Sequence, residues 1–229
     1  ETLRHLIDVK NSGSATSEAV KAAERDLRDA LFESRIQPEF VASGENRQQD
    51  AAAYVLTVLS EVLNIRLEQQ ETYYGLLNGQ QVRSENQPGP RSPLVEVGLG
   101  TPNQPIQDLI DHNFSEEDLE SWCYGDTYTE SPKKQTVLVG EPPEVFAVQV
   151  KRTVFDRKVG RAQKSSKPIG IGDGRINLSK AYRSEQLLSY RLKSFVYHMG
   201  NEYHSGHYVS YVFEGGKWYC CNDSNVREA

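Results

Sequence analysis

The sequence predicts an α+β fold in which helices come first and β-structure fills the rest, and three observations carry that prediction. Apolar residues recur at three-to-four spacing between residues 16 and 35, and again from residue 50 to about residue 67, which is the period of a helix with one buried face. From Asn78 to Pro105, glycine and proline punctuate the chain too densely for a helix to survive. Near the C-terminus stand three strand signals in a row, two of them separated only by Gly215-Gly216.

The elements follow in order. Asn11 to Ser17 is small, polar and glycine-containing, and reads as a loop. In the first helix Val20, Ala23, Leu27, Ala30 and Leu31 form the apolar stripe, Thr16 or Ser17 offers a capping hydroxyl, and Pro38 ends it. The second helix begins at Asp50, whose carboxylate suits the free amides of a first turn, and buries Val55, Val58, Leu59 and Val62. Residues 78–105 read as strands and turns interrupted by mobile loop. Ile106, Leu109, Ile110 and Phe114 then mark a short helix, followed by a loop through Trp122 and Cys123. Pro142-Pro143 stops any helix from running into the apolar stretch Val145 to Phe155, which predicts a buried strand. Residues 157–174 are rich in Lys, Ser and Gly and read as loop, after which Ile176 and Leu178 return the chain to the core. The three closing strands are expected at 190–199, 207–214 and 217–222.

Composition excludes several function classes. At 229 residues the chain is long enough to bury one core without disulfide staples. A formal net charge of -6 argues against a general electrostatic grip on nucleic acid, which needs clustered Lys and Arg facing phosphates. No stretch approaches the roughly 18 apolar residues of a membrane span, and residues 1–10 lack a signal-peptide core. Cys123, Cys220 and Cys221 form no disulfide framework and suit a reducing compartment, so an intracellular site, cytoplasmic or nuclear, is expected.

The chemistry lies in the last hairpin. If Gly215 and Gly216 form the turn, Glu214 pairs with Lys217 and Phe213 with Trp218, and the count outward sets His207 opposite Ser224. Side chains alternate faces along a strand, so His207, Asn222 and Ser224 share one face, with His207 and Asn222 as diagonal neighbours. The same count puts Asp223 on the other face unless a bulge intervenes. An asparagine that accepts a hydrogen bond from one imidazole nitrogen leaves the other free to take a proton from a thiol. Trp218, with Tyr208 and Tyr211, is expected to pack in the core and rigidify the site, and small Ser205 and Gly206 leave room for an extended peptide. Two plainer readings stand beside this one. A histidine next to a hairpin is commonly an ordinary polar strand residue. His198, His204 and His207 form an H-x5-H-x2-H series, but no acidic or thiolate residue stands at zinc-motif spacing beside it, and neither a metal nor a cofactor is expected.

The series Tyr190, Leu192, His198, Gly200, Gly206, His207, Tyr208, Trp218, Asn222, Asp223 and Ser224 closely resembles the histidine box of the ubiquitin-specific proteases. Gln48-Gln49-Asp50-Ala51 resembles that family's Gln-Gln-Asp helix, with Ala53 and Tyr54 in place of its usual Glu-Phe. Pro142-Pro143 with Val150-Lys151-Arg152-Thr153 resembles its Leu-Pro and Leu-Lys-Arg-Phe segment, continued by Ile176-Asn177-Leu178 and Tyr182. The resemblance implies a papain-like cysteine protease fold with a helical thumb in residues 1–75, β-rich fingers in 76–140 and a palm sheet in 141–229, together one incomplete catalytic domain. It implies a thiol-dependent deubiquitinase that cleaves after the C-terminal glycine of ubiquitin, with His207, Asn222 and Asp223 catalytic and with Gln49, Asp50, Gly200, Ser205, Gly206, Tyr208 and Trp218 along the substrate path. The family's cysteine box does not occur within residues 1–229, and its closing strands are expected beyond Ala229, so the nucleophile is expected from outside this sequence. Cys123, beside Trp122 where relatives carry zinc-binding pairs, is read as a packing residue. The alternative is a catalytically inactive relative that binds ubiquitin or serves as a scaffold.

Overall fold

In the computed structural model, which describes residues 5, 8–9, 12, 16–33, 51–156, 160–200 and 206–229, β-strands outnumber helices. The chain divides into two compact units, Glu1–Leu63 and Asn64–Ala229.

The first unit holds helix α1 (Ser17–Glu33) and helix α2 (Ala51–Thr57). Thr16 caps α1, its hydroxyl oxygen accepting the Ala19 amide at 3.2 Å. Helix α2 continues as a wider π-helical turn, Val58–Val62, in which the Leu63 amide reaches the Val58 carbonyl at 3.0 Å. The sequence reading carries this helix to about residue 67, but Asn64 takes a left-handed φ of +51° and ends it, and Leu67 opens a strand instead. Asparagine enters that conformation more readily than any branched residue, so the stop is local chemistry.

The second unit is built on a sheet ordered β2-β1-β8-β5, with β3 also paired to β1. Its strands are β1 (Leu67–Leu77), β2 (Gln80–Arg83), β3 (Gln87–Ser92), β5 (Glu116–Asp118) and β8 (Glu130–Val139), while β4 (Leu94–Val97) pairs elsewhere. Asn78 and Gly79, at φ +52° and +75°, make the primed turn of the β1/β2 hairpin. The stretch expected to be strands and turns interrupted by mobile loop holds β2, β3 and β4. A small hairpin, β6 (Cys123–Tyr124) and β7 (Thr127–Tyr128), occupies the loop expected around Trp122, and the Trp122 ring stacks on Tyr73 at 6.2 Å.

Helix α3 (Ile106–Asn113) matches its sequence signal, and its Leu109 and Ile110 are buried. They pack with Leu67, Val95, Val97, Phe114, Leu138, Leu178 and Ala181 to form the core. Strand β9 (Ala147–Val150) runs parallel to β4, with Leu94 opposite Ala147 and Val97 opposite Val150. Each fully buried aliphatic side chain here contributes about 1.5–3 kcal/mol of transfer free energy.

The predicted strand over 145–155 is broken at Lys151-Arg152 into β9 and β10 (Thr153–Asp156). Strand β11 (Arg161–Lys164) pairs back on β10 within a segment read as loop from its Lys, Ser and Gly content. Then come β12 (Arg175–Asn177) paired with β13 (Ser189–Arg191), and a meander of β14 (Ser194–Met199), β15 (His207–Glu214), β16 (Lys217–Asn222) and β17 (Asn225–Glu228). The strand expected at 190–199 is split between β13 and β14, which lie in different sheets, and β17 is an addition to those expected.

Candidate active site

Gly215 and Gly216 adopt φ of +56° and +83°, the conformations a primed two-residue turn demands, and β15 pairs with β16 as Glu214↔Lys217 and Phe213↔Trp218. The ladder continues to Ser210↔Cys221, and there the extrapolation fails. Instead of running on to set Ser224 against His207, β16 turns back on itself, and Asn222 pairs with Asn225 across a turn in which Asp223 has φ of +49°. The four residues Asn222-Asp223-Ser224-Asn225 are all good turn formers, and aspartate tolerates the left-handed region.

The turn leaves the central contact in place. His207 Nε2 and Asn222 Oδ1 lie 2.6 Å apart. An amide oxygen can only accept, so Nε2 carries the proton and donates it, and Nδ1 keeps its lone pair. Asp223, expected on the far face, is swung round by its backbone until its carboxylate stands 4.0 Å from the same Nε2. The imidazole is 43% exposed and the Asp223 side chain 80% exposed, so this second contact works through water-screened charge. The site thus holds an oriented imidazole with one basic nitrogen to spare.

Aromatic packing stiffens the ribbon behind it. Phe195 stacks on Tyr211 at 4.7 Å, and Trp218 meets Phe195 at 5.6 Å and Phe213 at 5.4 Å. By register, all four side chains lie on the face that carries His207. Trp218 is only half-buried, however, so it braces the sheet instead of packing in the core where the sequence reading expected it. Tyr208 alternates to the opposite face, where its ring meets His198 at 4.6 Å. His198 and His207 therefore leave β14 and β15 on opposite faces, which separates two members of the histidine series. Among the described residues no three His, Cys, Asp or Glu side chains converge as metal ligands.

Gly206 fits because it has no side chain: a Cβ there would overlap the Met199 carbonyl and the His198 ring. Gly200, at φ +118°, ends β14 with its carbonyl taken up by Lys164 at 2.6 Å. Gln49, Asp50 and Ser205 lie outside the described residues, as does His204. Lys164 was missed because it sits in a segment whose composition signals loop.

None of the three cysteines is bonded to another. Cys221 faces away from His207, and Cys220 is buried opposite Tyr211, whose phenol it pushes to a higher pKa through a hydrogen bond. Tyr211 is four residues along the strand from His207, about 13 Å at 3.3 Å per residue. Cys123 lies in the small β6/β7 hairpin.

A model of the ubiquitin carboxyl-terminal hydrolase family matches residues 8–229. The chain belongs to that family. Ubiquitin carboxyl-terminal hydrolase 25 of Arabidopsis thaliana is 32% identical over 97 residues, covering 41% of this chain and 14% of the relative. Ubiquitin carboxyl-terminal hydrolase 36 of Drosophila grimshawi is 38% identical over 132 residues, covering 53% of this chain and 10% of the relative. The chain thus aligns with a small part of the length of these hydrolases. Among solved structures, the SAGA DUB module of Ubp8, Sgf11, Sus1 and Sgf73 bound to monoubiquitin superposes with a TM-score of 0.72 at 19% identity, covering 100% of this chain and 54% of the matched chain. The α+β fold of the ubiquitin carboxyl-terminal hydrolases is therefore the fold of this chain.

Proposed function

We propose that this chain carries the acid–base half of a thiol deubiquitinase, one that hydrolyses isopeptide or peptide bonds after the C-terminal glycine of ubiquitin. The observation that supports it most is the 2.6 Å contact between His207 Nε2 and Asn222 Oδ1. With Nε2 committed as a donor, Nδ1 takes the proton of a cysteine thiol, and the thiolate attacks the glycine carbonyl to form an acyl-enzyme. The imidazolium then protonates the departing amine, and in the second half-reaction the neutral ring activates water. Asn222 holds the ring in the productive tautomer, and the Asp223 carboxylate stands 4.0 Å from the same nitrogen as a second, solvent-exposed partner.

The thiol in this reading comes from outside residues 1–229. Cys221 on the wrong face, Cys220 buried beside Tyr211 and Cys123 in its separate hairpin each suit packing better than attack. Gly200, Gly206 and the undescribed Ser205 would border the path of the ubiquitin tail, where side chains would obstruct a glycine backbone. Tyr208 and Trp218 brace that path from either face of the sheet, and Gln49 and Asp50 are further candidates for contact with ubiquitin. Residues 1–75, 76–140 and 141–229 correspond in this proposal to thumb, fingers and palm, and the partner is ubiquitin or a ubiquitinated protein. Reduced thiols at all three cysteines accord with a cytoplasmic or nuclear setting. Among the described residues no helix is long and apolar enough to cross a membrane.

The test is ubiquitin carrying a thiol-reactive group at its C-terminus, added to the thiol-containing protein. A covalent adduct that disappears with His207→Ala supports the proposal. Ubiquitin binding with no adduct would replace it with the non-catalytic scaffold.

A further inference from the structure

We propose that Lys164 is a positioning residue for His207, acting through the edge strand that His207 pairs with. This rests on the role proposed for His207.

The Lys164 ammonium offers three N–H donors, and three acceptors surround it. They are His198 Nδ1 at 2.9 Å, the His198 carbonyl at 2.8 Å and the Gly200 carbonyl at 2.6 Å. Strand β14 is the edge of its sheet, so its outward carbonyls have no neighbouring strand, and Lys164 caps two successive outward ones. Those carbonyls bracket Met199, and Met199 is the register partner of His207. The clamp therefore fixes the stretch of backbone against which His207 is laid.

A second route runs through the ring. An ammonium can only donate, so His198 Nδ1 is held as an acceptor and the imidazole is fixed in orientation. Gly206, the residue before His207, packs so closely on that ring and on the Met199 carbonyl that no Cβ would fit. A displaced His198 ring would press directly on the approach to His207. The lysine itself is held from the other side, because β11 is laddered to β10 with Lys164 opposite Thr153. Arg152, just before β10, donates to the Lys167 carbonyl at 2.7 Å and steadies the segment that follows Lys164. Burial, and then the nearby Arg152 charge, hold the Lys164 pKa below the ordinary lysine value, in keeping with a partly desolvated amine.

The test compares wild type, Lys164→Met and Lys164→Arg by residue-resolved amide hydrogen exchange. Lys164→Met should speed exchange at His207 and Tyr208 about 10-fold or more while Val212 and Tyr219, further along the ribbon, keep their protection. Lys164→Arg, which can still donate to both carbonyls, should restore at least part of that protection. Nitrogen chemical shifts should show His198 Nδ1 as an unprotonated acceptor in wild type and altered in Lys164→Met. In the thiol-containing protein, turnover of a ubiquitin C-terminal amide should lose about 10- to 100-fold in kcat in Lys164→Met with KM nearly unchanged, since misplacement affects the reacting geometry and not the docking. Unchanged exchange at His207 and Tyr208, or protection lost equally at Val212 and Tyr219, would overturn the positioning role. Wild type that turns over no ubiquitin amide while the exchange pattern holds would instead overturn the deubiquitinase reading and leave the clamp standing.

Discussion

Replacing Asn222 and Asp223, singly and together, tests which group orients His207. The Asn222 contact is a short hydrogen bond between uncharged groups, and such bonds are worth a net of about 1 kcal/mol. Asp223 stands 4.0 Å away with its side chain 80% exposed, where a unit-charge pair in water is worth about 1 kcal/mol before screening and side-chain entropy bring it to roughly 0–1. With each 1.36 kcal/mol worth about tenfold in rate, Asn222→Ala should lower kcat about 5- to 10-fold and Asp223→Ala about 5-fold or less. The single losses should be modest because each group backs up the other. Without both, the ring loses its two described partners, and the loss should exceed the product of the two and approach the roughly 10²- to 10⁴-fold range of general acid–base catalysis. The assay is release of a reporter from a ubiquitin C-terminal amide by the thiol-containing protein, at saturating substrate. High salt should shrink the Asp223→Ala effect and leave the Asn222→Ala effect alone. If Asp223→Ala proved more damaging than Asn222→Ala, the assignment of Asn222 as principal orienter would be wrong.

Gly206→Ala should lower activity while costing about 1–3 kcal/mol, because the added methyl must displace the His198 ring or the Met199 carbonyl; equal urea midpoints and equal activity would contradict the tight fit. Trp218→Ala should cost about 2 kcal/mol, below the roughly 3–5 of a fully buried aromatic, since the ring is half-buried against Phe195 and Phe213. Ile110→Ala, at a side chain with 0% exposure, should cost about 2–5 kcal/mol and serves as the core reference in the same chemical denaturation series. Tyr73, through its hydrogen bond to Glu71, and Tyr74 and Tyr182, through burial, have phenol pKa values pushed up to about 12. The folded state then holds those protons more tightly than the unfolded chain, so stability should be intact below about pH 10 and decline as pH rises toward about 12. A urea midpoint unchanged between about pH 9 and about pH 11.5 would contradict this.

Some of these features can be read from residues alone because the signal and its consequence are local. Gly215-Gly216 forces a primed turn, and the turn sets the register of Phe213 against Trp218. Asn78-Gly79 is an equally strong hairpin signal, and it joins β1 to β2 at the start of the stretch read as strands and turns interrupted by mobile loop. Thr16 caps α1 through a hydroxyl three residues from its partner amide. Strand β8 is harder to see, since Pro132, Lys133 and Lys134 interrupt its apolar pattern and its half-exposed place in the sheet asks only for alternate burial.

The sequence by itself determined the helix-then-strand order, the closing β-ribbon and the proximity of an imidazole to a carboxamide, because each follows from periodicity and turn chemistry over a few residues. Tertiary structure alone decided that Asp223 swings round toward His207, that Trp218 braces a sheet instead of filling the core, and that Lys164 reaches across from another hairpin to clamp β14. Those outcomes depend on where β16 ends its ladder and on which strand lies at an edge. Such facts belong to pairings between distant segments: the turn formers Asn222-Asp223-Ser224-Asn225 permit the reversal at Asp223, and the ladder sets where it falls.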